Sequence, residues 1–299
     1  MKSMATEHLH TLCDCLRFAV SRFNQAQLCF GHGNDNAFDE AVYLLLHSLH
    51  LPLDRLEPFL QARLFPEEIA NIVRLIDKRV AQRIPMPYLT QEAWLGEYSF
   101  YIDQRAIIPR SFIAELLPEA LQPWIEHPEL VQRALDLCTG SGCLGILLAQ
   151  HYPDAHIDAV DISTAALEVA AINVQRYQLE SRITLLHGDL LNALDKQCYD
   201  LIVCNPPYVD NQAMASLPEE YRHEPALALA AGSDGLAYIR EILVQASQYL
   251  NPQGVLLLEV GHQHRALEAA FPTLPFVWLS THTGDYFVCL LTAAMLKQL

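Results

Sequence analysis

From residue 133 to residue 291, short apolar runs alternate with segments of helical period. The runs at 133–137, 156–160, 183–187, 201–204, 255–260, 276–279 and 286–291 read as strands. The segments 141–150, 164–177, 236–250 and 264–270 read as helices between them. Strands this apolar must be covered on both faces, which requires an α/β fold with a mostly parallel sheet between helix layers. Only residues 280–285 separate the last two runs. That is too short for a crossover, so this pair should run antiparallel or at least without one.

The first 85 residues carry no strand pattern and read as a helical domain. Phe38, Val42, Leu45, Leu46 and Leu49 share one stripe, with Asn36 as the expected N-cap and Asp39 in the capping position. Pro66 opens a second helix, along which Ile69, Ile72, Val73, Ile76 and Val80 form one stripe. Lys78, Arg79 and Arg83 suit its negative C-terminal end. His47 and His50 read as packing or surface residues, and His32 stands in a glycine-flanked loop. Residues 86–110 read as a linker. Residues 84–89 cannot be helical, because Pro85 and Pro87 break a helix, and 94–102 alternates as a hairpin would, around Gly96 or Asp103-Gln104. The remainder, 111–299, is the α/β domain.

In that domain the chemistry-bearing residues follow strands. After the first strand come Cys138, Thr139, Gly140, Ser141 and Gly142. The glycines let backbone approach a ligand, and the helix beginning there offers free N–H groups. Ligands in open α/β sheets bind beyond these strand ends. The segment also fits Gly-x-Gly-x-x-Gly at 140, 142 and 145, a pattern too weak to identify a nicotinamide site. Asp161 closes the second strand and could take a ribose diol, or simply precede the next helix. Asp189 follows the third strand, where it could face an adenine amino group or occupy an ordinary turn.

The fourth strand ends in Asn205-Pro-Pro-Tyr208. Two prolines remove two donors and fix two φ angles, and Pro206 keeps Asn205 out of the helical region. The stiff turn presents the Asn205 amide and the Pro206 carbonyl as acceptors for a planar amide or amine, with Tyr208 as a wall. Hydride transfer needs no such turn, whereas methyl transfer to a planar nitrogen does. The neutral Asn205 suits a neutral acceptor group.

Hydrophobic residues make up 52% of 299, enough for a substantial core. The absence of a signal-like start and of any membrane-length apolar run leads to the expectation of a cytoplasmic protein with no membrane contact. Eight cysteines without a Cys-x-x-Cys read as reduced thiols, and no metal is called for. The net charge of −16 argues against direct nucleic-acid binding and would favour a basic protein partner, although it also serves plain solubility.

Taken together, Asp136-Leu-Cys-Thr-Gly-Ser-Gly-Cys143, the acid at 161 and the Asn-Pro-Pro-Tyr turn resemble the S-adenosylmethionine-dependent N5-glutamine methyltransferases of the HemK/PrmC-like family. The resemblance extends to Ile108-Pro-Arg110 and to the block 213–230 (Ala-Met-Ala-Ser-Leu-Pro-Glu-Glu-Tyr-Arg-His-Glu-Pro-Ala-Leu-Ala-Leu-Ala). That block and Ser111 are similar to the branch acting on a glutamine of the third large-subunit ribosomal protein, L-three. The release-factor branch differs in both. Phe112 stands where this branch usually has Pro, Gly145 where a small non-glycine residue is usual, and Cys204 where Ser is common.

The resemblance implies a class I methyltransferase fold: a Rossmann-like, seven-stranded, mostly parallel sheet with a helical N-terminal domain that docks the substrate and a hairpin linker. It implies S-adenosyl-L-methionine at Cys138, Thr139, Gly140, Ser141, Gly142, Asp161, Ile162, Asp189, Leu190 and Asn205. Catalysis falls to Asn205, Pro206 and Tyr208, and substrate binding to those three with Pro207, Tyr98, Phe100 and Arg110. His223 and Glu224 are implied to be structural. The partner would be the basic ribosomal protein, free or during ribosome assembly. Three alternatives remain at this level: the release-factor enzyme, a nucleic-acid amino-methyltransferase and an inactive cofactor-binding module.

Overall fold

The computed structural model describes residues 8–119, 121–195, 198–282 and 284–299. The chain forms two compact units, Met1–Ala93 with Pro218–His223, and Trp94–Leu217 with Glu224–Leu299. No helix among the described residues is long and apolar enough to cross a membrane.

The first unit is helical, with α1 (Leu12–Gln25), α2 (Ala37–Ser48), α3 (Pro66–Gln82) and α4 (Met86–Thr90). Thr11 and Asp14 close a capping box on α1, and Asn36 accepts from Phe38 and Asp39 at the start of α2. The α3 stripe is buried as expected at Ile69, Ile72, Val73 and Ile76, packed with Leu12, Ala19, Leu44 and Leu45. Each such side chain contributes roughly 1.5–3 kcal/mol.

The helical unit departs from three expectations. Phe38 is exposed, and α2 buries Ala37, Ala41, Leu44, Leu45 and Leu46 with Glu40. Arg79 does not sit at a solvated helix end. It is 1% exposed, and its Nε donates to Glu40 Oε1 at 2.7 Å. Its Nη2 donates to the Cys29 carbonyl at 2.9 Å, and Glu220 Oε1 lies 3.5 Å from Nη1. Finally, 86–90 is helical despite its prolines, because Pro87 falls in the first turn, where no intrahelical N–H bond is lost.

The hairpin of β1 (Glu92–Leu95) and β2 (Tyr98–Tyr101) turns at Gly96, whose φ of +60° suits the turn, and the second unit begins within it at Trp94. After the short α5 (Ile113–Leu116) the elements are β3 (Arg133–Leu137), α6 (Cys143–His151), β4 (His156–Asp161), α7 (Thr164–Arg176), β5 (Ile183–His187), β6 (Tyr199–Cys204), α8 (Asn211–Ser216), α9 (Ala237–Ala246), β7 (Leu250–Glu259), α10 (His264–Ala270), β8 (Val277–Thr281), β9 (Gly284–Thr292) and α11 (Ala293–Leu296). The seven strands are ordered β5-β4-β3-β6-β7-β9-β8. β9 is antiparallel to β7 and β8, and the other pairs are parallel. This is the class I methyltransferase arrangement.

Alternation along the strands divides the core. Leu201, Val203, Val255, Leu257, Val288 and Leu290 meet Leu144, Leu147 and Leu148 of α6 on one face. Ile202, Cys204, Leu256, Leu258, Cys289 and Leu291 meet Ile239, Ile242 and Leu243 of α9 on the other. The helix read over 236–250 ends at Ala246. By Tyr249 the backbone already serves the sheet, its carbonyl accepting from Tyr199 N at 2.7 Å.

Candidate active site

The chain runs outward from β3 through β4 to β5, then returns to place β6 on the other side of β3. This reversal opens a crevice at the C-terminal ends of β3 and β6. Leu137 pairs with Cys204 there, so the glycine loop and the Asn-Pro-Pro-Tyr turn leave the sheet side by side.

The loop is held by two acids. Asp136, fully buried, accepts from Thr139 Oγ1 at 2.6 Å and Gly145 N at 2.8 Å, both at Oδ2. Its Oδ1 and the Ser141 hydroxyl are buried without a hydrogen-bond partner among the described residues. Burial pushes the Asp136 carboxyl up to about 7. Gly145 has a packing reason: a Cβ there would stand 3.2 Å from Asp136 Oδ2. Asp161 accepts from Gly140 N and Ser163 N, each at 2.8 Å. It therefore clamps the loop to β4, while Ser163 caps α7. Burial raises its carboxyl as well.

Gly140 and Gly142 have φ of +55° and +81°, and a Cβ on Gly142 would crowd Ala170 at 3.1 Å. Cys138 takes a φ of +59° without being glycine, a strain of order 1–3 kcal/mol that functional loops commonly carry. Burial, reinforced by Cys138, pushes the Cys204 thiol well above its ordinary range. Farther along the same edge, Ile162 is 49% exposed beside Asp161. Asp189 is exposed, and Leu190 behind it is buried.

Across the crevice Asn205 is half-buried, Pro206 buried, and Pro207 and Tyr208 half-buried. No described residue hydrogen-bonds the Asn205 side-chain amide. Tyr208 donates its hydroxyl to Glu259 Oε1 at 3.3 Å, and its carbonyl accepts from Gln263 Nε2 at 3.2 Å. Burial raises its hydroxyl well above the usual tyrosine value.

Residues 114–222 match the methyltransferase small domain. A protein of Neisseria gonorrhoeae described as ribosomal protein uL3 glutamine methyltransferase is 59% identical over 296 residues, 99% of both chains. Relatives of the same description from Bordetella pertussis and Bradyrhizobium diazoefficiens are 55% identical (99% of this chain, 100% of the relative) and 46% identical (96% and 92%). The chain belongs to the ribosomal protein uL3 glutamine methyltransferase family.

This uL3 glutamine methyltransferase relative distributes the expected linker residues unevenly. Tyr98 is half-buried, its ring 6.2 Å from that of Tyr177. Phe100 is 0% exposed, packed among Ile113, Leu117 and Tyr177, with no surface to offer a substrate. Arg110 makes a bidentate pair with Glu224 at 2.6 and 2.7 Å. Glu224 also accepts from Ile108 N at 3.1 Å, so it orders the linker end from a buried position.

Two polar residues escaped the sequence reading. Asn173, fully buried on α7, accepts from Tyr101 N at 2.7 Å and donates to the Tyr101 and Ser141 carbonyls at 3.0 and 2.9 Å. It ties the hairpin to the glycine loop. Glu259 closes β7 at 1% exposure. An acid ending an apolar strand was the available signal for it.

Proposed function

We propose that this chain transfers a methyl group from S-adenosyl-L-methionine to the side-chain amide nitrogen, N5, of a glutamine in ribosomal protein uL3. The observation that carries the reading is the Asn205 amide. It is half-buried, has no partner among the described residues, and ends β6 beside the glycine loop of β3.

The residues present fit the cofactor. The unpartnered Asp136 Oδ1 and Ser141 hydroxyl offer polar contacts beside the loop. Asp161 retains acceptor capacity for a ribose diol after its two backbone bonds. Ile162 and Leu190 follow the paired ends of β4 and β5 and would supply apolar contacts to the adenine ring, with Asp189 for its amino group. Cys138, Thr139, Gly140 and Gly142 supply the loop backbone. When bound, the cofactor supplies a sulfonium methyl, a strong electrophile.

The protein's own task is positioning. An amide nitrogen is a weak nucleophile because its lone pair is shared with the carbonyl. Asn205 Oδ1 and the Pro206 carbonyl accept the two amide N–H groups, which fixes the amide plane and pushes electron density toward nitrogen. Pro207 stiffens the turn and Tyr208 walls it. Alignment of this kind contributes up to about 7–11 kcal/mol. Arg110, already bound to Glu224, shapes the linker beside the turn. The helical unit at the N-terminus docks the protein substrate, whose basic character suits the charge of −16.

The test is incubation of the purified chain with methyl-labelled cofactor and either uL3 or a release factor, with the modified residue located by mass spectrometry. Label on a uL3 glutamine supports the reading. Label on the release factor alone, or on neither protein, overturns it.

A further inference from the structure

Leu258 pairs with Cys204, so Glu259 stands level with Asn205 on the neighbouring strand. Its hydrogen bonds divide by oxygen. Oε2 accepts from Ser111 Oγ at 2.6 Å and Phe112 N at 2.9 Å, with the Ile113 N–H also acting on the carboxylate, while Oε1 accepts from the Tyr208 hydroxyl at 3.3 Å. Among the described residues no other acceptor meets that hydroxyl.

The rest of Tyr208 is held by shape. A Cβ at Gly261 would come within 2.6 Å of Tyr208 Cε2, and one at Gly235 within 2.5 Å of the Tyr208 carbonyl oxygen. Backbone therefore lies directly against the ring and against its carbonyl. The hydroxyl is left as the one polar handle on the ring's orientation, and Glu259 holds it.

We propose that Glu259 is a positioning residue for methyl transfer, setting the Tyr208 ring through its hydroxyl while anchoring the segment after Arg110 through Ser111 and Phe112. The inference rests on the assignment of the Asn205–Tyr208 turn to substrate. Ionised, Glu259 accepts from all of these donors. A proton enters most easily on the lightly held Oε1. There it faces Tyr208 as a donor and turns the hydroxyl hydrogen away, loosening the ring.

Burial pushes the carboxyl up to about 7, which brings this change into the neutral range. Other titratable groups nearby are Tyr208 itself, the Arg110–Glu224 pair that also acts on Tyr208, and the Cys204 thiol on β6, which Glu259 and Asp136 both help to raise. His262 follows on the next turn, its ring edge-on to Phe287.

The test has two arms on the full chain. In the first, carbon-13 at tyrosine Cζ reports the ring, with the Tyr208 resonance assigned by its loss in Tyr208→Phe. This resonance should titrate near neutrality, keep doing so in Ser111→Ala, and stop in Glu259→Gln. In the second, kcat on the protein substrate should fall as pH drops through the same range. Glu259→Gln and Tyr208→Phe should flatten that step and lower kcat roughly tenfold, with cofactor KM little changed. A Tyr208 resonance that titrates identically in Glu259→Gln, or a variant with wild-type kcat and pH profile, overturns the proposal. If the wild-type chain leaves uL3 unmodified, the substrate assignment fails, and the resonance arm still judges Glu259.

Discussion

The backbone N–H of Gly140 donates to Asp161 Oδ2 at 2.8 Å, so the acid that closes β4 also shapes the loop that follows β3. Asp161→Ala removes this bond and the one from Ser163 N. Bonds to a charged group contribute about 1.5–3 kcal/mol each. The variant is expected to lose roughly 3–6 kcal/mol of stability by denaturant titration. It should also bind S-adenosylmethionine at least about tenfold more weakly by calorimetry.

Asn205→Ala removes the acceptor that the proposed mechanism aims at the reacting amide while leaving the proline turn in place. By analogy with the deletion of a preorganised transition-state partner, kcat should drop roughly 10²–10³-fold. Cofactor affinity should change far less. Near-normal turnover in single-turnover assays would remove Asn205 from the chemistry.

Gly261→Ala is the steric counterpart. The position has φ of +53°, and its new Cβ would collide with the Tyr208 ring at 2.6 Å. The ring must move, so kcat is expected to fall about tenfold or more, equivalent to about 1.4 kcal/mol of barrier. Tyr208→Phe in the same background should then add little, which a double-mutant cycle measures.

Arg79 and Glu40 are buried at 1% and 2% exposure, with Glu220 beside them at 2%. Arg79→Met removes the cation beside Glu40, while Glu220 keeps Arg83 at 3.2 Å, and should cost about 3–5 kcal/mol. Arg79→Met combined with Glu40→Leu should recover part of that loss. Equal denaturation midpoints for wild type and Arg79→Met would show that the pair adds nothing.

Asp136 carries a pH signature. Its carboxyl is raised in the folded chain from 3.8 to about 7 by burial. The folded state therefore holds the proton more tightly than the unfolded state. This contribution to stability is full below the ordinary carboxylate value and is lost as pH rises toward about 7, at up to about 1.4 kcal/mol per pH unit. Asp136→Asn lacks the effect. Its stability relative to wild type should therefore climb across that window, and a flat difference between the two denaturation series contradicts the assignment.

What the sequence determined by itself was whatever depends on near neighbours. Apolar runs of strand length placed all seven strands, β7 starting five residues earlier than read, because strands buried on both faces leave a continuous apolar run. The short link before β9 ruled out a crossover. Asn36 marked a helix start through bonds made within one turn, and Pro66 through its fixed φ at the first helical position. The glycine loop and the proline turn were legible because Gly and Pro act directly on their own φ angles.

Tertiary structure decided which polar groups meet. Arg79 looked like a helix-end cation, but Glu40, Glu220 and the Cys29 carbonyl come from distant segments and make its burial tolerable. Phe100 looked like a cleft residue until Ile113, Leu117 and Tyr177 enclosed it. Asn173 and Glu259 gained their roles only when folding brought Tyr101 and Ser141 to one, and Ser111 and Tyr208 to the other. The physical reason is desolvation. A buried charge or amide is stable only if partners arrive from elsewhere in the chain, and no local pattern records which partners those are.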